Sequence, residues 1–190
     1  MDDETVNELM QKRRAEDSIR ADFEHTLPKR VDRYWQVKPH EIVPYTHFSA
    51  ASAECSCLFR DGHFYGCIAL AQAVAEALVR FMCETKLNRA KKVFERNVEN
   101  LRRRGFISEN VYEGLLRIWQ RRDDYHHLNP EVATNRQTLE QLARDKTVDL
   151  VEVQKGVFRF GIVNGRITPE KPEYWVIEGD RAQVFLNLEP

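Results

Sequence analysis

HFYGCIALAQAVAEALVRFMCET, residues 63–85, decides the fold. Ile68, Leu70, Ala71, Val74, Ala75, Leu78, Val79, Phe81 and Met82 recur at helical spacing and cover more than one face. A helix with that pattern is surrounded by others. Ala69, Ala71, Ala73, Ala75 and Ala77 let neighbouring helices approach closely. Asp61-Gly62 breaks the chain just before it.

Helical patterns continue on both sides. Upstream, Ser49 suits the cap of a helix running to about Phe59. Downstream, a helix over about Arg89–Arg104 turns Val93, Val98 and Leu101 inward, and Gly105 takes the usual C-terminal position. Ser108 suits the N-cap of the next helix, which carries Val111, Leu115, Leu116, Ile118 and Trp119 toward the core. Pro130 disfavours helix at Asn129 and ends it. A last helix spans about Ala133–Phe158 on Leu139, Leu142, Leu150, Val151 and Val157. Near the N-terminus, about Glu4–His25 reads as a largely exposed helix stopped by Pro28, and 28–47, with three prolines, as a surface connector. Asn164-Gly165 signals a turn, and Tyr174–Ile177 and Gln183–Leu188 read as short extended pieces. The expected fold is all-α: an antiparallel bundle of about five helices with a short irregular or β C-terminal tail. Residues 1–47 form the N-terminal helix and connector, 48–160 the bundle, and 161–190 a tail packed on it.

Composition excludes some classes. With 42% hydrophobic and 31% charged residues, the chain is not a disordered one. The net charge of −1 supplies no global field toward nucleic acid. The charge is nevertheless uneven: Lys86–Arg122 holds eleven Lys/Arg against four Asp/Glu. Such a run is ordinarily a solvated helix face, but here it leads into the segment described next. The acidic start gives no signal-peptide pattern, and no apolar stretch approaches the roughly 20 residues a bilayer requires. Cys55, Cys57, Cys67 and Cys83 form no paired Cys-x-x-Cys motif, so reduced, mostly buried thiols in a cytoplasmic protein are expected.

The densest run of catalysis-capable side chains is Arg121-Arg122-Asp123-Asp124-Tyr125-His126-His127-Leu128. Arginine grips phosphate with parallel hydrogen bonds, and histidine exchanges protons near neutral pH. RNA scission needs a base for the 2′-hydroxyl and cations on the phosphate, and no metal when that hydroxyl is the nucleophile. Asp123 lies four residues before His127, so its carboxylate can accept an imidazole N–H and fix the tautomer. Arg122 and His127 are five apart, about 140° around a helix, and converge only in a loosened last turn or across two chains. Arg122 and His126 are four apart and share a face, so both histidines stay open as the base.

Arg122-Asp123-Asp124-Tyr125-His126-His127 resembles the Arg-polar-x-x-x-His signature of the HEPN superfamily, helical-bundle proteins that include many toxin ribonucleases. Arg121 to His126 has the same spacing but puts Arg122 in the polar slot. Gly62–Ala77 is similar to the family's central helix, and Leu101–Ser108 to its third-to-fourth helix corner. The resemblance covers about 48–160. It implies a homodimer whose paired motif helices line one cleft, RNA as substrate, cyclic-phosphate ends and no metal or other cofactor. Arg122 then stabilises the phosphate, His127 transfers protons, and Asp123 positions the histidine, with Arg121 and His126 accessory. Arg102, Arg103, Arg104 and Arg117 are the expected RNA-binding cations. A regulatory protein such as an antitoxin is a further expected partner, and a membrane is not. Members paired with a nucleotidyltransferase antitoxin often carry Tyr two residues after the histidine. Asn129 or Leu128 stands there, which speaks against that regulation. The family also contains non-catalytic RNA-binding and dimerisation modules, the alternative reading. Glu76 and an Asp124-x-x-His127 pair are residues of metal-site type, but no second Glu-x-x-His accompanies them. His40, His47 and His63 lie beside loop signals and are expected to be structural.

Overall fold

The computed structural model describes residues 3–127, 129–130, 132, 135–179 and 181–186. The chain is all-α, with a short β tail. Six helices of ten residues or more, α1 (Asp3–Val37), α2 (Ser49–Asp61), α3 (Phe64–Leu87), α4 (Phe94–Arg103), α5 (Glu109–Trp119) and α7 (Arg136–Val157), are joined by the one-turn α6 (Arg122–His126). Helix α3 is the hub: α2, α4, α5, α6 and α7 all pack on it. Cys67, Ile68, Ala71, Ala75, Leu78, Val79, Met82 and Cys83 are essentially free of solvent, as the periodicity requires. By length and mean hydropathy α3 could cross a bilayer, contrary to the expectation that no stretch could, but most of it is covered by this bundle.

The α5–α7 contact is the most intimate. A Cβ on Gly114 would stand 2.9 Å from Val153 Cγ2, and one on Gly156 would stand 2.5 Å from Val111 Cγ2. Exposed helical Gly→Ala changes stabilise by about 1 kcal/mol. Gly156→Ala should instead destabilise, because overpacking costs about 1–3 kcal/mol. A lower urea midpoint with unchanged slope is the expected result.

Several boundaries differ from expectation. Helix α1 does not stop at Pro28 but runs through it to Val37, replacing much of the expected connector. Its last turns are held to the body by Arg33 Nε on Glu140 at 2.7 Å and by Arg30 near Asp61 at 3.4 Å. Phe48, not Ser49, caps α2, and Ser49 Oγ accepts from Thr46 N while donating to Pro44 O. Helix α4 begins at Phe94, which leaves Val93 exposed instead of inward. Helix α7 begins at Arg136, where Asn135 caps it through Thr138 N. Ala133, the expected start, lies outside the described residues. Ser108 caps α5 by accepting from Val111 N, as expected.

The tail covers one end of the bundle. Asn164-Gly165 turns a hairpin between β2 (Phe160–Val163) and β3 (Arg166–Pro169). Of the expected extended piece 174–177, Tyr174 ends a 3₁₀ turn (Pro172–Tyr174), Trp175 is extended, and Ile177 opens β4 (Ile177–Glu178), which pairs with β5 (Arg181–Ala182). Of the expected piece 183–188, Val184–Leu186 forms β6, which pairs antiparallel with β1 (Ile42–Pro44), and 187–188 lie outside the described residues. Tyr174 and Trp175 are buried against Phe81 and Phe158.

Candidate active site on the single-turn helix

The motif does not extend α5. That helix stops at Trp119, and the chain turns at Gln120 and at Arg121, whose φ of 60° is left-handed. The left-handed region is costly for a non-glycine residue, so this corner needs outside support. Two buried side chains supply it. Lys146 Nζ reaches the carbonyl oxygens of Arg117, Ile118 and Gln120 at 3.2, 2.6 and 2.8 Å. Gln72 Nε2 donates to Ile118 O at 3.2 Å and Gln120 O at 3.3 Å. The end of α5 is thereby capped by an ammonium, the charge that the negative helix terminus favours. Burial pulls the Lys146 amine down to about 8.

Helix α6 then presents its residues on two sides. Tyr125 faces inward, edge-on to Tyr65, and anchors the turn. Arg122 lies over the Trp119 ring, its Cζ 5.2 Å from the centroid, and Trp119 stacks on Phe94 at 4.1 Å. Arg122 Nη1 donates to Asp123 Oδ1 at 3.1 Å, and the same oxygen stands 3.9 Å from His127 Nε2. One carboxylate oxygen therefore sits between the guanidinium and the imidazole. His127 is the C-cap of α6, with φ −101° and ψ 9°, so the last turn is loosened. Its side chain is 70% exposed and Asp123's is 83%.

The two histidines are not equivalent. His126 turns toward α3, where the backbone at Ala69 hydrogen-bonds it, and its Nε2 is shielded from solvent with no partner among the described residues. Burial first, then the Arg122 charge, lowers its pKa below the ordinary 6.5. Between that lowered value and 6.5 the unfolded chain binds more protons, so stability should fall as pH drops through this window. His126→Asn should flatten the acid limb of a urea-unfolding series, and an unchanged limb would refute the assignment.

The remaining candidates divide by their ion pairs. Arg121 Nε is engaged by Asp124 Oδ2 at 2.9 Å, and Asn129 Nδ2 donates to the other Asp124 oxygen. Arg117 is bidentate on Asp149, with Nη2 2.7 Å from Oδ1. Arg102 is shared by Glu99 and Glu109 and covers the Tyr112 ring. Arg103 and Arg104 are exposed and carry no ion pair among the described residues, as do Lys91, Lys92 and Arg96. Glu76 pairs with Arg80 at 3.2 Å. Among the described residues no three His, Cys, Asp or Glu side chains converge. An open groove of about 520 Å³ runs beside the turn, lined by Glu95, Leu116, Trp119, Gln120 and residues 121–124.

Comparison with protein-family models, with curated proteins and with solved structures finds no match to this chain. Sequence reasoning missed Lys146 and Gln72. A signal for Lys146 was present: it lies four residues from both Leu142 and Leu150, on the apolar stripe of α7.

Proposed function

We propose that the chain is a metal-independent endoribonuclease of HEPN type, acting as a homodimer with its motif turns facing across a shared cleft. The observation that carries the reading is the contiguity of Arg122, Asp123 and His127 on one solvent-reachable edge. Arg122 holds a nonbridging oxygen of the scissile phosphate. His127 takes the proton of the 2′-hydroxyl, whose oxygen attacks phosphorus. The P–O5′ bond breaks, and the 5′-oxygen leaves with a proton from the imidazolium of the second copy or from water. The products are a 2′,3′-cyclic phosphate and a 5′-hydroxyl. Asp123 orients the imidazole and keeps the guanidinium in reach. His126 takes no part in the chemistry of this scheme, since its Nε2 is closed to solvent, and serves to seat α6 on α3.

Incubation of the purified protein with total RNA and excess chelator tests the proposal. Discrete fragments with cyclic-phosphate ends are expected, and intact RNA would overturn it. Lys91, Lys92, Arg96, Arg103 and Arg104, exposed and without an ion pair among the described residues, favour the second reading, RNA binding without scission. That reading predicts a salt-sensitive RNA shift with no fragments.

A further inference from the structure

The N-terminal part of α1 stands off the body. Residues 5–25 are exposed throughout, and Thr26 is the first to be half-buried. Most helical stability in proteins comes from packing, and among the described residues this segment has none, so it is open to a partner. Val6, Leu9, Met10, Ile19 and Phe23 are 37%, 53%, 52%, 71% and 46% exposed, on a helix otherwise rich in charge. Val6, Leu9, Arg13, Glu16, Arg20 and Phe23 recur at alternating steps of three and four, the spacing of a coiled-coil seam.

We propose that this segment pairs antiparallel with α1 of a second copy, about a two-fold axis between Arg14 and Ala15. The register follows from chemical complementarity. Val6 meets Phe23 of the second copy, Leu9 lies under the Arg20 stem, and Arg13 meets Glu16. The other three layers repeat these by symmetry, so one self-complementary patch closes the contact. A parallel pair would instead set Arg13 on Arg13, Glu16 on Glu16 and Arg20 on Arg20, three like-charge layers that oppose it. Polar layers within a seam fix register in this way. The length also fits. In this register the paired stretch ends near Thr26, short of Arg30 and Arg33, which hold the helix to the bundle. The two Thr26 residues then lie about 35 Å apart along the rod, at 1.5 Å per residue. The contact is therefore distinct from the proposed meeting of α6 turns, and its standing is independent of ribonuclease activity.

Site-directed cross-linking in the full chain tests the pairing. Val6→Cys protein and Phe23→Cys protein are mixed and oxidised with copper phenanthroline in air, with the wild-type chain as control for its native thiols. The mixture should yield a reducible species of twice the 22.4 kDa chain mass, and neither variant alone should exceed wild type. Adding Arg13→Glu to both proteins should abolish the species, and adding Arg13→Glu with Glu16→Arg should restore it. A mixture that cross-links no more than its components would overturn the proposal, as would Arg13→Glu without effect. A dimer formed only through α6 would give that first, negative result.

Discussion

His127→Ala should reduce RNA cleavage by about 10²–10⁴-fold, the usual range for losing a general acid–base group. It should leave the thermal midpoint unchanged, because the side chain is 70% exposed. His126→Ala should behave oppositely. It removes a half-buried ring hydrogen-bonded at Ala69 and should cost about 1–2 kcal/mol of stability. Cleavage corrected for the folded fraction should survive. Equal loss of cleavage in folded His126→Ala, with His127→Ala active, would exchange the two roles.

Lys146→Met should be the most damaging change outside the motif. It removes the donor of three contacts to the carbonyls of Arg117, Ile118 and Gln120. Gln72 still reaches Ile118 and Gln120, but Arg117 O loses its cap. A buried acceptor left unsatisfied costs about 1–3 kcal/mol. The damage should spread to activity, since the left-handed Arg121 that aims α6 follows directly. The pH dependence supplies a second readout. The folded amine titrates at about 8 against an ordinary 10.5. Between these values the unfolded chain holds the extra proton, so the wild-type protein should gain stability as pH rises through this window. Lys146→Met should lack that gain. Chemical denaturation at a series of alkaline pH values would show both effects, and parallel wild-type and variant curves would contradict the role given to Lys146.

The comparison of expectation with fold has a physical pattern. Elements were legible where one local rule governed them: the all-round apolar period of α3, the Ser108 cap and the Asn164-Gly165 turn. Misreadings fell where long-range contacts overrode a local rule. Pro28 ordinarily stops a helix, yet the contacts of Arg30 and Arg33 with Asp61 and Glu140 carry α1 nine residues further. The break at Gln120-Arg121 has no Gly or Pro to announce it, because its support comes from Gln72 and Lys146, far away in sequence. That break changed the site most. It turned a continuous helix, on which Arg122 and His127 diverge, into a single turn whose loosened end brings Asp123 between them. The sequence could propose those three residues, but it could not separate the outward His127 from the inward His126. That distinction depends on which side of α6 meets α3.

In the proposed mechanism Arg122 and His127 use the RNA 2′-hydroxyl as nucleophile without a metal ion. Its most direct test is a single-turnover assay in excess chelator, pairing an oligoribonucleotide with its fully 2′-O-methylated copy. The wild-type protein should cut the first and leave the second whole, and Arg122→Ala/His127→Ala should cut neither. Scission of the methylated strand, or undiminished cutting by the double variant, would contradict the account.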